Sequence, residues 1–137
     1  MPIIGSRGAW QGAERLDDAA RQVVQGAEGL AASYGMRQAT PDVLLRALLD
    51  DDGGAASQAL AAAGVDVGSV RALLDQFLDR GAAPLGGRSA LDADAREIVV
   101  LGTNEARRDG VDQAGLGHLL LGLVASRAGK GARQVAR

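Results

Sequence analysis

Apolar residues recur at three- and four-residue spacings from Leu16 through Ala19, Ala20, Val23, Val24, Ala27, Leu30 and Ala31 to Tyr34. That spacing places them on one stripe of a helix with about 3.6 residues per turn. Asp17 stands where an N-cap belongs and Gly35 where a helix stops. The next stretch, Thr40-Pro41-Asp42-Val43-Leu44-Leu45, supplies three start signals. The Thr40 hydroxyl can cap free amides, Pro41 sits where an amide needs no partner, and Asp42 puts a carboxylate at the positive helix end. A second helix is predicted from there to about Asp50, ahead of Gly53-Gly54. A third is predicted from Ala55 to Ala63, closed by Gly64. A fourth starts after Asp66 and presents Val70, Leu73, Leu74, Phe77 and Leu78 on one side.

Residues 80–88 read Arg-Gly-Ala-Ala-Pro-Leu-Gly-Gly-Arg, a composition that ends helices and makes a mobile connector. Beyond it the first pattern returns. Leu91-Asp92, Ala95-Arg96, Ile98-Val99, Ala106, Gly110 and Gln113-Ala114 match Leu16-Asp17, Ala20-Arg21, Val23-Val24, Ala31, Gly35 and Gln38-Ala39 at a constant offset of 75 (91 − 16). Leu44–Leu49 falls on Leu119–Val124 without a gap. The chain is an internal duplication. It divides into a lead-in at 1–11 and a double-repeat domain at 12–137, with repeat one at 12–79, the connector at 80–88 and a shortened repeat two at 89–137. The predicted fold is all-α: two tandem helical repeats of about four and three helices, related by a pseudo-twofold axis, with no strand pairing.

Two helical repeats of about 75 residues, each with a long first helix, a glycine turn and a capped leucine-rich second helix, resemble the double-repeat N-terminal domain of Clp-type (Hsp100) protein-unfolding ATPases. Tyr34-Gly35, Ala39-Thr40-Pro41-Asp42-Val43-Leu44-Leu45, Gly64-Val65-Asp66 and Gly117-His118-Leu119-Leu120-Leu121-Gly122-Leu123 carry the resemblance. Asp42 and Gly117 stand where the family has glutamate, Val43 replaces a usual histidine, and no Walker-type ATPase follows. The resemblance implies a binding module, expected to be a monomer; the absence of cysteine makes the cytoplasm the default compartment, and one histidine with scattered carboxylates gives no expectation of catalytic residues, cofactor or metal. Its expected partners are proteins or peptides: a Clp adaptor, a substrate or a Clp ATPase component. The family's glutamates help hold a guanidinium, including phosphoarginine marks in some members. The implied ligand-binding set is therefore Leu16, Thr40, Asp42, Val43, Leu91, Gly117 and His118.

Each of these residues also has a purely structural reading. The helix dipole alone explains Asp42. Leu16 and Leu91 open the two equivalent first helices, where core packing suffices. His118, the sole histidine, has no second histidine at metal spacing and reads as a packing or capping residue. A helical protein that self-associates or holds one dedicated partner is the alternative from another class.

Composition narrows the field further. A formal net charge of −2 provides no field to gather nucleic acid or an anionic membrane, and 47% apolar content can fill a core. Without cysteine there are no disulfides or thiolate sites. No apolar run approaches the roughly 18 residues of a membrane span. Asp50-Asp51-Asp52-Gly53 lacks the alternating ligands of a calcium loop, and residues 81–89 place Gly87 where a phosphate loop needs lysine. Arg127, Lys130, Arg133 and Arg137 lack the interleaved aromatics of a nucleic-acid site and read as a solvated face.

Overall fold

The structure, a computed structural model, describes residues 14–50, 54–79 and 81–126. The lead-in, most of the acidic Asp50–Gly53 run, Arg80 and the basic tail lie outside those residues. Six helices are present among the described residues: α1 Asp18–Ser33, α2 Pro41–Leu48, α3 Ala55–Ala62, α4 Val67–Leu78, α5 Ala93–Arg108 and α6 Leu116–Ser126. Four belong to the first repeat and two to the second. The further helix expected in repeat two falls beyond residue 126.

Local chemistry sets the helix starts. Asp17 and Asp92 accept the backbone N–H of Ala20 and Ala95, each at 2.8 Å. Thr40 accepts that of Val43 at 3.5 Å with Pro41 in the first turn, and Asp66 accepts both the amide and the hydroxyl of Ser69. Apart from the Ser69 hydroxyl bond, each satisfies an amide that has no partner inside its own helix. At the other end of α2, the Arg71 guanidinium donates two bonds to the Leu49 carbonyl, at 3.1 and 2.7 Å. This side-chain cap ends α2 at Leu48, two residues before the point that periodicity predicts.

α2 lies at the centre and packs against α1, α4, α5 and α6. Its Val43, Leu44, Leu45 and Leu48 join Leu16, Leu74, Leu91, Ile98, Val99, Leu119 and Leu123 in one continuous core. Two short crossed contacts tie the repeats together. The Asp17 amide donates to the Ala114 carbonyl (2.9 Å) and the Ala114 amide to the Arg15 carbonyl (2.6 Å). Their equivalents, 75 residues on, are Asp92 to Ala39 (2.9 Å) and Ala39 to Ala90 (2.8 Å). These form single parallel bridges, Leu16 with Ala114 and Ala39 with Leu91, and they modify the expectation of no strand pairing without making a sheet. Arg21 and Arg96 repeat the symmetry, each donating to the carbonyl five residues back, at 3.0 and 2.9 Å.

The connector departs from its composition. Leu85 donates to the Ala32 carbonyl at 2.8 Å, the Ser89 amide to the Glu28 carbonyl at 2.9 Å, and the Ser89 hydroxyl to the Met36 carbonyl at 2.6 Å. These bonds lay residues 85–89 along the back half of α1. Gly35 makes the approach possible: its φ is +75°, and a Cβ there would sit 2.5 Å from the Ala83 carbonyl oxygen.

Candidate functional site

Among the described residues, grooves lie on two sides of the central helix. The first, of about 460 Å³, lies where the start of α2 meets the start of α5, so both repeats build it. Thr40, Pro41 and Asp42 come from the α2 start, and Asp92 and Asp94 from the α5 start. Tyr34, Gly35 and Met36 come from the turn after α1, Phe77 and Leu78 from α4, and Ala82 from the connector. The second groove, of about 400 Å³, runs between α1 and α2 past the start of α3. Ala19, Val23, Gly26, Ala47 and Leu116 are among its lining residues.

The first groove is acidic on an apolar frame. Asp42 is only 6% exposed, in the first turn of α2. Asp92 uses one carboxylate oxygen to cap α5, and Asp94 is exposed in its first turn. The Tyr34 hydroxyl is held above its ordinary pKa, chiefly by burial and then by the negative charge of Asp75, with Asp79 and Asp50 adding to the rise and Arg46 opposing it. Arg46 is itself matched by acids, 2.7 Å from Asp75 and 3.4 Å from Asp50.

The residues named from sequence separate into three places. Thr40 and Asp42 line the first groove. Leu16, Val43 and Leu91 are core residues, none more than 1% exposed. Gly117 and His118 sit in the other lobe, at the start of α6. There His118 Nδ1 accepts the Gly115 amide at 3.0 Å while Nε2 lies 2.8 Å from Asp109 Oδ2. Nδ1 must be the unprotonated nitrogen to accept, so Nε2 carries the hydrogen given to Asp109. His118 thus reaches back to the amide of Gly115, the residue that precedes α6, whereas at α2 the side chain of Thr40 reaches forward to the amide of Val43. Among the described residues no group of histidine and carboxylate side chains is arranged to hold a metal ion, and no helix is long and apolar enough to cross a membrane.

Asp92, Asp94, Phe77 and Ala82 are groove residues outside the motifs, and Tyr34 belongs to a motif without being among the expected ligand-binding residues. Their signal lies in the offset of 75, which makes Asp92 the counterpart of Asp17 and brings the start of α5 beside the start of α2.

The two lobes are not equivalent in packing. In repeat two, Gly102 of α5 and Gly122 of α6 let the helix backbones touch. A Cβ on Gly122 would lie 2.4 Å from the Ile98 carbonyl oxygen and 2.8 Å from the Gly102 nitrogen. The corresponding positions of repeat one are Ala27 and Ala47.

A helical double repeat with paired inter-repeat bridges and a groove at the junction defines an all-α double-repeat scaffold. The chain belongs to the Clp repeat (R) N-terminal domain family, whose model matches residues 15–137. Chaperone protein ClpB of Brucella suis biovar 1 (strain 1330) is 36% identical over 78 residues, 57% of this chain and 9% of that protein. The chain therefore spans a small part of this relative's length. The N-terminal domain (1-163) of ClpV1 ATPase from the E. coli EAEC Sci1 T6SS has the same fold at 18% identity and TM-score 0.70, over 98% of this chain and 88% of that one. A structure described as a peptide from the EAEC T6SS Sci1 SciI protein aligns at 19% identity and TM-score 0.76, over 90% of this chain and 81% of that one.

Proposed function

We propose that this domain is a non-enzymatic docking module of the cytoplasm. It receives protein or peptide segments and so recruits or sequesters adaptors or substrates of a Clp protein-unfolding or protease machine. The observation that carries this reading is the groove at the junction of the repeats. It is concave, built by both copies, and lined by rings and carboxylates with no catalytic arrangement of side chains. Family membership and the SciI peptide named for a structure of this fold support it. An arginine-type ligand, phosphoarginine included, would bind weakly and engage the first repeat, because Asp42 lines the groove there and Gly117 supplies no charge at the matching position.

Affinity purification from native lysate tests the proposal, with the natural domain compared against Ala82→Trp, which fills the groove from the exposed connector. The natural domain is expected to enrich a Clp component, an adaptor or unfolded clients, and Ala82→Trp to lose them. Enrichment of none of the three would overturn it. Sedimentation at several concentrations is expected to show a monomer, whereas a stable dimer covering the groove would favour a self-associating protein.

A further inference from the structure

We infer that His118 makes the outer bridge between the repeats, Leu16 with Ala114, a pH-sensitive latch. The bridge closes on the neutral ring and loosens when the ring is protonated, while the inner bridge, Ala39 with Leu91, stays shut. The latch is independent of what docks in either groove.

A single peptide unit joins His118 to the bridge. The carbonyl of the Ala114–Gly115 peptide accepts the Asp17 amide at 2.9 Å, and its N–H donates to His118 Nδ1 at 3.0 Å. The first bond crosses between repeats and the second stays inside repeat two. Both groups lie in one rigid plane, so a turn that releases one moves the other. The Gly115 carbonyl also accepts the Leu119 amide at 3.1 Å as α6 begins. His118 therefore stands where a capping box puts the acceptor that reaches back to the residue before the helix.

A ring with its hydrogen on Nε2 presents a lone pair at Nδ1, whereas the imidazolium presents a hydrogen there. Two N–H groups then face each other across 3.0 Å, and the Gly115 amide loses its acceptor. With Nε2 held 2.8 Å from Asp109, the displacement falls on the peptide plane. Asp109 does not reverse the sign. It belongs to repeat two, as His118 does, and keeps its contact whether the repeats are bridged or not. Its attraction for the charged ring is common to both states, and the Nδ1 contact is what distinguishes them. Acid therefore favours the loosened bridge.

The other ionisable groups around α6 are engaged elsewhere or face water. On α5, Glu105 pairs with Arg108 at 2.9 Å, Arg107 is exposed, and Asp94, Arg96 and Glu97 lie toward the opposite end. Asp112, in the turn before α6, is exposed. On α2, Arg46 pairs with Asp75 and Asp50, and Asp42 lines the first groove. α3 carries no ionisable side chain. On α1, Asp18 pairs with Arg21 at 3.3 Å. Asp17 Oδ1 caps Ala20, and its Oδ2 lies 3.0 Å from where a Cβ on Gly115 would sit. Asp17 is thus the charge that repeat one brings to the latch. Its half-buried carboxylate attracts the imidazolium and offsets part of the opposition between the two N–H groups.

Repeat one lacks the device. The Ala39 carbonyl accepts the Asp92 amide at 2.9 Å, but the position matching His118 is Val43 (118 − 75), whose side chain accepts nothing. Each bridge also adjoins one groove. Ala19 and Leu116, beside the ends of the outer bridge, line the second groove, while Thr40 and Asp92, beside the inner bridge, line the first. Loosening the outer bridge frees the starts of α1 and α6 to separate, so acid widens the second groove and leaves the first unchanged.

Amide hydrogen exchange of the whole domain, read by NMR and corrected for the intrinsic pH dependence of exchange, tests the latch. Between about pH 8 and about pH 5, protection of the Asp17 and Ala114 amides is expected to fall about tenfold, the worth of one hydrogen bond, while that of Asp92 and Ala39 changes less than about threefold. Ring nitrogen shifts report the protonation of His118 in the same samples, and the fall should follow them. His118→Asn keeps an acceptor for Gly115 without a titrating ring and should abolish the fall. Asp109→Asn removes an anion that favours the charged ring, so ring titration and fall should move together to lower pH. Steady outer-bridge protection while the ring titrates, an equal fall at the inner bridge, or a fall that persists in His118→Asn would each overturn the inference. If His118→Asn does not fold, Asp109→Asn decides it: a ring titration that moves without the fall overturns the latch.

Discussion

Gly122→Ala adds one methyl group where there is no room for it. The new Cβ would meet the Ile98 carbonyl oxygen at 2.4 Å, whereas ordinary contact begins near 3.4 Å, so α6 must withdraw from α5 by about 1 Å. The obstructing atoms are backbone and cannot rotate aside. A gap of about 0.5 to 1 Å forfeits a quarter to a half of each dispersion contact along the interface. Overpacking of this kind costs about 1 to 3 kcal/mol, and backbone obstruction puts this site at about 3. Replacing a helical glycine by alanine returns about 1 kcal/mol, leaving a net loss of about 2. Gly26→Ala is the control, because it is also helical but has nothing within 4 Å of its added Cβ. It should gain about 1 kcal/mol. Urea denaturation followed by circular dichroism measures both, and an unchanged denaturant slope would show that the unfolded reference is the same. In melting temperature, Gly122→Ala should fall by about 6 to 12 °C and Gly26→Ala rise by about 3 to 6 °C. If Gly122→Ala is as stable as the natural chain while Gly26→Ala gains as expected, the helices do not approach as closely as described.

Asp17→Ala and Asp92→Ala should each cost about 1 kcal/mol, within about 0.5 of one another, because both caps have the same 2.8 Å geometry; chemical denaturation of the two variants compares them directly. The Glu28 carboxyl is raised above the usual range by burial, with the Arg88 charge opposing the rise. It binds its proton more tightly folded than unfolded, so its contribution is fully present below the unfolded pKa and is lost as pH rises through the folded one. Glu28→Gln should flatten the stability profile across that acidic window, and an unaltered slope there would remove Glu28 as its source.

Start signals and the offset of 75 were legible because both are local or periodic. Asp17, Thr40, Asp66 and Asp92 all cap the helices their positions announce. The end of α2 was less legible, since it depends on Arg71, more than twenty residues downstream. Composition misled at residues 85–89, where glycine content describes an isolated chain and the bonds to Ala32, Glu28 and Met36 are tertiary. The candidate site was half legible. Thr40 and Asp42 belong to a motif, but Asp94 and Phe77 join them only through the crossed arrangement of the repeats, which no local pattern encodes. Burial, likewise invisible in a motif, separates Leu16, Val43 and Leu91 from the groove.

The crossed bridges also impose an order on folding. Leu16 and Ala114 are 98 positions apart (114 − 16), while Ala39 and Leu91 are 52 apart (91 − 39). Loop closure grows as the logarithm of length, so the inner bridge closes at a cost lower by about 0.6 kcal/mol. Once it has formed, the path from Leu16 to Ala114 shortens to the two 23-residue arms outside it, and the outer closure becomes the easier of the two. Neither repeat can complete its own entry without the other, so the halves should cross the barrier together. Under stopped-flow mixing, Ala39→Gly should chiefly slow folding and Ala114→Gly chiefly speed unfolding; the reverse pattern would place the outer bridge first.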